Sequence, residues 1–243
     1  MGNLSHMAAI VTGASRGIGR GIARGLAAEG ASVVLAGRDE ERLAVTAEQV
    51  TAAGGKSLVC MADVSSEADV ERLFATAVAT FGRVDLVVNN AGVFDGGPLE
   101  KLSVETWDKV MSINLRGPFL CTRAAMRLMK PQGGGRIINV ASISAMRVRP
   151  NSAPYSTTKH GLWGLTQVTA LEGRGHGITC CCLNPGNVRI ERRQNSGRVE
   201  DEEPMMEVDD IARVAVLMAS LPKHVEMLEA VVLPAQQLFV GRG

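Results

Sequence analysis

Seven short apolar runs punctuate the chain: MAAIVT from Met7, SVVLA from Ser32, SLVCM from Ser57, VDLVVN from Val84, GRIINVA from Gly135, GITCCCL from Gly177 and LEAVVLP from Leu228. They are rich in β-branched residues and too short for helices, so they read as strands. Between them the apolar positions recur with helical spacing at about 17–29, 39–53, 66–81, 103–130, 152–173 and 208–220. Gly54-Gly55, Gly82 and Gly173 are the expected stops. Alternation this regular predicts successive βα units and a parallel sheet covered by helices on both faces. VDLVVN and GITCCCL are nearly continuous in apolar residues, as strands buried on both faces must be.

A chain of 243 residues can bury one large core, so residues 7–243 are expected to form a single domain. The opening MGNLSHM resembles vector-derived sequence, and residues 1–6 are expected to lie outside the fold. Lys and Arg total 26 against 25 Asp and Glu, a balance that favours neither nucleic acid nor an anionic membrane and leaves a small molecule as the expected partner. No apolar run approaches the roughly 20 residues of a membrane span, and no signal-peptide layout opens the chain. The cytoplasm is therefore the expected compartment. Cys180, Cys181 and Cys182 fall within one apolar strand and show no zinc-ligand spacing, so reduced core thiols and no metal are expected. The charged stretch RIERRQNSGRVEDEEP, Arg189 to Pro204, reads as a solvated loop or as a lid within a substrate loop at about 186–206.

The first strand runs straight into TGASRGIG, where Gly13, Gly17 and Gly19 precede a helix. Glycines allow a tight turn and close approach of a pyrophosphate, whose charge the free N–H groups at a helix start can accept. Tyr155 is the only tyrosine, and Lys159 stands four positions later, on the same face of a helix. A free phenol holds its proton near pH 10, and a neighbouring ammonium favours the phenolate. Ser142 follows the fifth strand, at the edge where open α/β sheets bind ligands.

The glycine loop, NNAG at Asn89 to Gly92, and the Tyr155/Lys159 pair together resemble the short-chain dehydrogenase/reductase family, over nearly the whole span from Ile10 to Leu183. The resemblance implies a single-domain Rossmann fold with a doubly wound, seven-stranded parallel sheet. It implies hydride transfer between a nicotinamide and a carbonyl or secondary alcohol, with Tyr155 as proton donor, Ser142 polarising the substrate oxygen, and Asn114 holding a water in a proton relay through Lys159. It also implies cofactor contacts from Gly13, Ser15, Arg16, Gly17, Ile18 and Gly19, from Asp63 and Val64, from Asn90, Ala91 and Gly92, and from Pro185, Gly186 and Val188, with Lys159 on the nicotinamide ribose. For Asp63 alone, a helix cap is the simpler reading.

Two positions depart from the family. Ile190 stands where NPGxVxT has its threonine, and the C-terminal glycine pair that helps build a dimer interface is missing from VVLPAQQLFVGRG. NADP(H) is expected over NAD(H), because the position aligned with the NAD-selecting acid is Ala36, while Arg38 and Arg16 can converge on a 2′-phosphate, although Asp39 lies one register shift away. Val93 to Gly97 and Ile143 to Asn151 should face the substrate; Arg147 and Arg149 would suit an anionic one or lie in solvent. The reading is a ketoreductase or alcohol dehydrogenase similar to 3-oxoacyl-carrier-protein reductases, forming a homotetramer or homodimer. A catalytically silent redox sensor or an assembly scaffold are the alternatives on this fold.

Overall fold

The computed structural model describes residues 4–191 and 203–239. All seven apolar runs form strands: β1 (Ala8–Thr12), β2 (Ser32–Gly37), β3 (Lys56–Met61), β4 (Leu86–Asn89), β5 (Gly135–Val140), β6 (Ile178–Pro185) and β7 (Glu229–Val232). They make one parallel sheet in the order β3-β2-β1-β4-β5-β6-β7. Because all seven run the same way, their carboxyl ends share one edge. The order reverses between β1 and β4, and the crevice above that reversal is where such sheets take ligands.

Two helical layers cover the faces: α1 (Gly17–Ala28), α2 (Glu40–Ala52) and α7 (Val208–Ser220) on one side, and α3 (Glu67–Phe81), α4 (Val104–Met111), α5 (Gly117–Gln132) and α6 (Ala153–Gly173) on the other. The strand period of two divides the core between them. Ala9 and Val11 pack with Ile22, Leu26, Ile211 and Val216, whereas Ile10 between them packs with Leu73, Phe74, Leu120 and Met129. Cys181 belongs to the first layer and Cys180 to the second. All five cysteines are free and buried, and burial pushes the Cys121 and Cys182 thiols up to about 12.

Gly54 and Gly82 take the left-handed conformation expected of helix stops. Gly173 does not: the chain continues through a 3-10 turn, Arg174–His176, and Gly177 at φ 70° supplies the left-handed residue instead. The helix expected over 103–130 is interrupted by a π-helical turn, Ser112–Arg116, in which Gly117 N–H bonds back to Ser112 O. Pro118 explains the break, since it has no N–H for the carbonyl of Asn114 four residues before it. The N-terminal residues expected outside the fold include Leu4, which is fully buried beside α1 and donates its N–H to Glu29 O. Most of the stretch read as a loop or lid, residues 192–202, lies outside the described residues. Among the described residues no helix is long and apolar enough to cross a membrane.

Candidate active site

The crevice is closed at its base by one hydroxyl. Thr12 Oγ1 donates to Val88 O (3.2 Å) and accepts from Asn90 N (3.0 Å) and Ala91 N (3.1 Å), which uses its full hydrogen-bonding capacity. The Asn90 side chain then donates to Thr12 O (2.9 Å) and Gly13 O (3.2 Å). The ends of β1 and β4 are thereby fixed to each other directly beneath the glycine loop. Gly13 has φ 65°, and a Cβ on Gly19 would sit 2.3 Å from Gly13 O. Any larger residue at Gly19 would force this turn open.

Above the clamp lies a cleft of 840 Å³ lined by Gly13, Ser15, Arg16 and Ile18 of the loop, and by Asn90, Ala91 and Gly92 after β4. Gly17 and Gly19 are buried and do not themselves line it. The loop accepts an anion in this structure: Gly17 N–H donates to the Glu191 carboxylate at 3.1 and 3.4 Å. A turn this tight, presenting N–H donors at a helix start, fits the pyrophosphate of a dinucleotide.

Gly37, Arg38, Asp39, Arg42, Ala62, Asp63 and Val64 line one end of the cleft. Ala36 is buried inside β2 and does not reach it, so the residues at this rim begin one position later than the alignment on Ala36 assumed. Asp39 caps α2 by accepting from Arg42 N (3.1 Å), and it also pairs with the Arg42 guanidinium (3.3 Å). Asp63 does not cap α3, a task that falls to Ser66. Its carboxylate instead accepts from the N–H (2.9 Å) and hydroxyl (2.7 Å) of Ser65 and pairs with Arg38 at 3.3 Å. Partial burial pushes the Asp63 carboxyl up, but the Ser65 hydrogen bonds and the Arg38 charge outweigh it and hold the group below its ordinary value.

At the other end Tyr155 and Lys159 both line the cleft from one face of α6. The Lys159 ammonium is buried, donates to Val140 O at the end of β5 (2.9 Å), and lies 5.5 Å from the Tyr155 ring centroid. Among the described residues this is its one hydrogen bond, and an ammonium has three protons to donate. Phe94 packs edge-on against Tyr155, with ring centroids 5.0 Å apart. Ser142 follows β5 by two residues, and its Oγ accepts from Ser144 N (3.1 Å), leaving its own proton for another acceptor.

Asn114 sits in the π-helical turn, buried. Its Oδ1 accepts from Val93 N and its Nδ2 donates to Val93 O, both at 2.8 Å. The side chain is thus committed to holding the strand-to-loop segment after Gly92.

Pro185, Gly186 and Val188 are not brought to the cleft: the Val188 side chain turns into the core, while Ile190 and Glu191 line the cleft. Two contacts hold this loop in ways that the local sequence does not signal. Gln237 Oε1 accepts from Asn187 N (2.9 Å), and Val188 forms a parallel bridge with Met206. Arg147, considered for an anionic substrate, lies 5.1 Å from the Phe239 ring centroid, so the same C-terminal segment also touches the loop after Ser142. Arg149 lines a separate cavity of 430 Å³ with Leu99, Val148 and His160.

A family described as short chain dehydrogenase matches residues 7–201. A 3-oxoacyl-[acyl-carrier-protein] reductase from Synechocystis sp. is 38% identical over 86% of this chain and 84% of its own length. A 3beta-hydroxysteroid dehydrogenase from Mediterraneibacter gnavus is 40% identical over 76% of this chain and 67% of its own. Among solved structures, a doubly substituted short-chain dehydrogenase/reductase from Serratia marcescens superposes with a TM-score of 0.89 at 32% identity, covering 96% of this chain and 98% of that one. These likenesses define an oxidoreductase of a family that binds a nicotinamide cofactor. The chain belongs to the short-chain dehydrogenase/reductase family.

Asn114→Ala removes the partners of the partly buried Val93 N–H and C=O, and is expected to lower stability by about 1–2 kcal/mol in urea unfolding. Asn114→Asp, which keeps the shape but sets a carboxylate against Val93 O, should lose at least as much. Unchanged midpoints in both variants would show that the side chain does not hold this loop.

Proposed function

We propose that the chain is an NADP(H)-dependent ketoreductase or alcohol dehydrogenase acting on a ketone or secondary alcohol, of 3-oxoacyl type by its likeness to the Synechocystis reductase. The observation that carries this reading is one cleft with the glycine loop at its centre, Arg38 at one end, and Tyr155 with Lys159 at the other. The nicotinamide supplies or accepts the hydride. Tyr155 donates its phenolic proton to the substrate oxygen during reduction, within reach of no other phenol in the chain. The buried Lys159 ammonium lies beside the Tyr155 ring and keeps donors free for the nicotinamide ribose. Ser142, whose oxygen already accepts from Ser144 N, donates to the same substrate oxygen. Protons return along Lys159 toward the Asn114 carbonyl through water. The relatives named above are oxidoreductases, which gives a silent redox sensor no support.

Selectivity for the 2′-phosphate is supported by Arg16, Arg38 and Arg42 on the same rim, and by the engagement of Asp39 with its own helix N-terminus and with Arg42. A homodimer or homotetramer is supported by Phe119 on α5 and by Val168 and Leu171 on α6, large apolar residues left exposed on two long helices.

Tyr155→Phe keeps the ring and removes the proton donor, so it is expected to bind NADPH normally and reduce a panel of ketones and β-keto esters about 10²-fold or more slowly, read as loss of NADPH absorbance. Turnover equal to wild type would remove Tyr155 from the chemistry. For cofactor choice, kcat/KM with NADPH should exceed that with NADH, and Arg38→Ala should erode the preference about tenfold. A wild-type preference for NADH, or a preference that survives the substitution, assigns selection to other residues.

A further inference from the structure

Gly17 opens α1 under unusual conditions. Arg16, its N-cap residue, makes no side-chain cap, and the first turn has no acidic residue. The Gly17 N–H, which has no intrahelical partner, and the positive end of the helix dipole therefore lack a local acceptor. A distant one fills the place: Glu191 Oε2 lies 3.1 Å and Oε1 3.4 Å from Gly17 N, and Oε1 pairs with Arg20 at 3.3 Å. Ile190 packs over the same turn, its Cγ2 3.2 Å from where a Cβ on Gly17 would lie. The guanidinium of Arg20 is anchored independently by Ser15 O and by Thr46 Oγ1 (3.1 Å), so it stays beside the loop whether or not Glu191 is there.

We propose that Glu191 is an internal competitor for the pyrophosphate site, and that it sets the affinity of the cleft for its cofactor. This rests on the reading that the glycine loop receives the pyrophosphate. One N–H cannot serve two anions, and a carboxylate and a phosphate held a few ångströms apart repel each other. Cofactor binding must therefore break the Gly17–Glu191 contact. Arg20 then exchanges one anion for the other, releasing the carboxylate and meeting the phosphate with the same Nη1. The carboxylate caps α1 in the free protein and opposes the ligand that replaces it.

The test is a fluorescence titration of wild type, Glu191→Gln and Glu191→Ala with NADPH and NADH, alongside thermal unfolding with and without inorganic pyrophosphate. Both variants are expected to bind the preferred cofactor about three- to tenfold more tightly than wild type. Pyrophosphate should raise their unfolding temperature more than it raises that of wild type. Equal or weaker cofactor binding by both variants overturns the inference. If wild type binds neither cofactor, the reading of the cleft itself fails.

Discussion

The hydroxyl of Thr12 is the constraint on which the cleft depends. It is buried at the point where the strand order reverses, and it holds β1 to the chain leaving β4 through three hydrogen bonds. Without such a link the two strand ends would diverge, because each continues into a helix on an opposite face of the sheet. With it, the glycine loop and the segment Asn90 to Gly92 form one rigid floor, and Asn114 extends that floor by gripping Val93 from the π-helical turn. Packing thus becomes function in two steps. The parallel sheet brings every strand end to one edge, and a few buried polar groups hold the loops there at fixed spacing.

The cleft is also divided electrically. Its Arg38 end carries guanidiniums paired with carboxylates at the surface, where water weakens each pair. Its Tyr155 end carries one buried ammonium, paired among the described residues with a carbonyl and lying beside the Tyr155 ring. A long ligand with phosphates in the middle, a polar sugar at one end and a reacting group at the other matches that division. The relatives carry different substrates in their names, a 3-oxoacyl-[acyl-carrier-protein] and a 3beta-hydroxysteroid, as expected of one fold that hosts many activities.

The strands, their number and the two helical layers were legible because strand and helix periodicities are local properties of the chain. The glycine loop was legible for the same reason: Gly13, Gly17 and Gly19 fall within seven residues. What stayed hidden depends on contacts between distant segments or on exceptions to local rules. Leu4 reads as vector sequence until the end of α1 is seen to cover it. The interruption at Ser112–Arg116 follows from Pro118, but an apolar period that runs through 103–130 conceals it. Gly177 rather than Gly173 supplies the left-handed residue after the sixth helix, because both are glycines and only the approach to β6 distinguishes them. Thr12 stands inside the glycine motif, but its sequence does not show what it bonds, and Gln237 and Glu191 carry no motif at all. Their partners lie 76, 50 and 174 positions away, and only the folded chain makes them neighbours.

The central claim is that the clamped crevice between β1 and β4 holds the dinucleotide along its length. A crystal structure of the protein with NADP+ tests this most directly. The account predicts the pyrophosphate on the Gly13–Gly19 turn, the adenosine end beside Arg38, and the nicotinamide end beside Tyr155 and Lys159. A dinucleotide bound with its ends reversed, or bound away from the glycine turn, would contradict it.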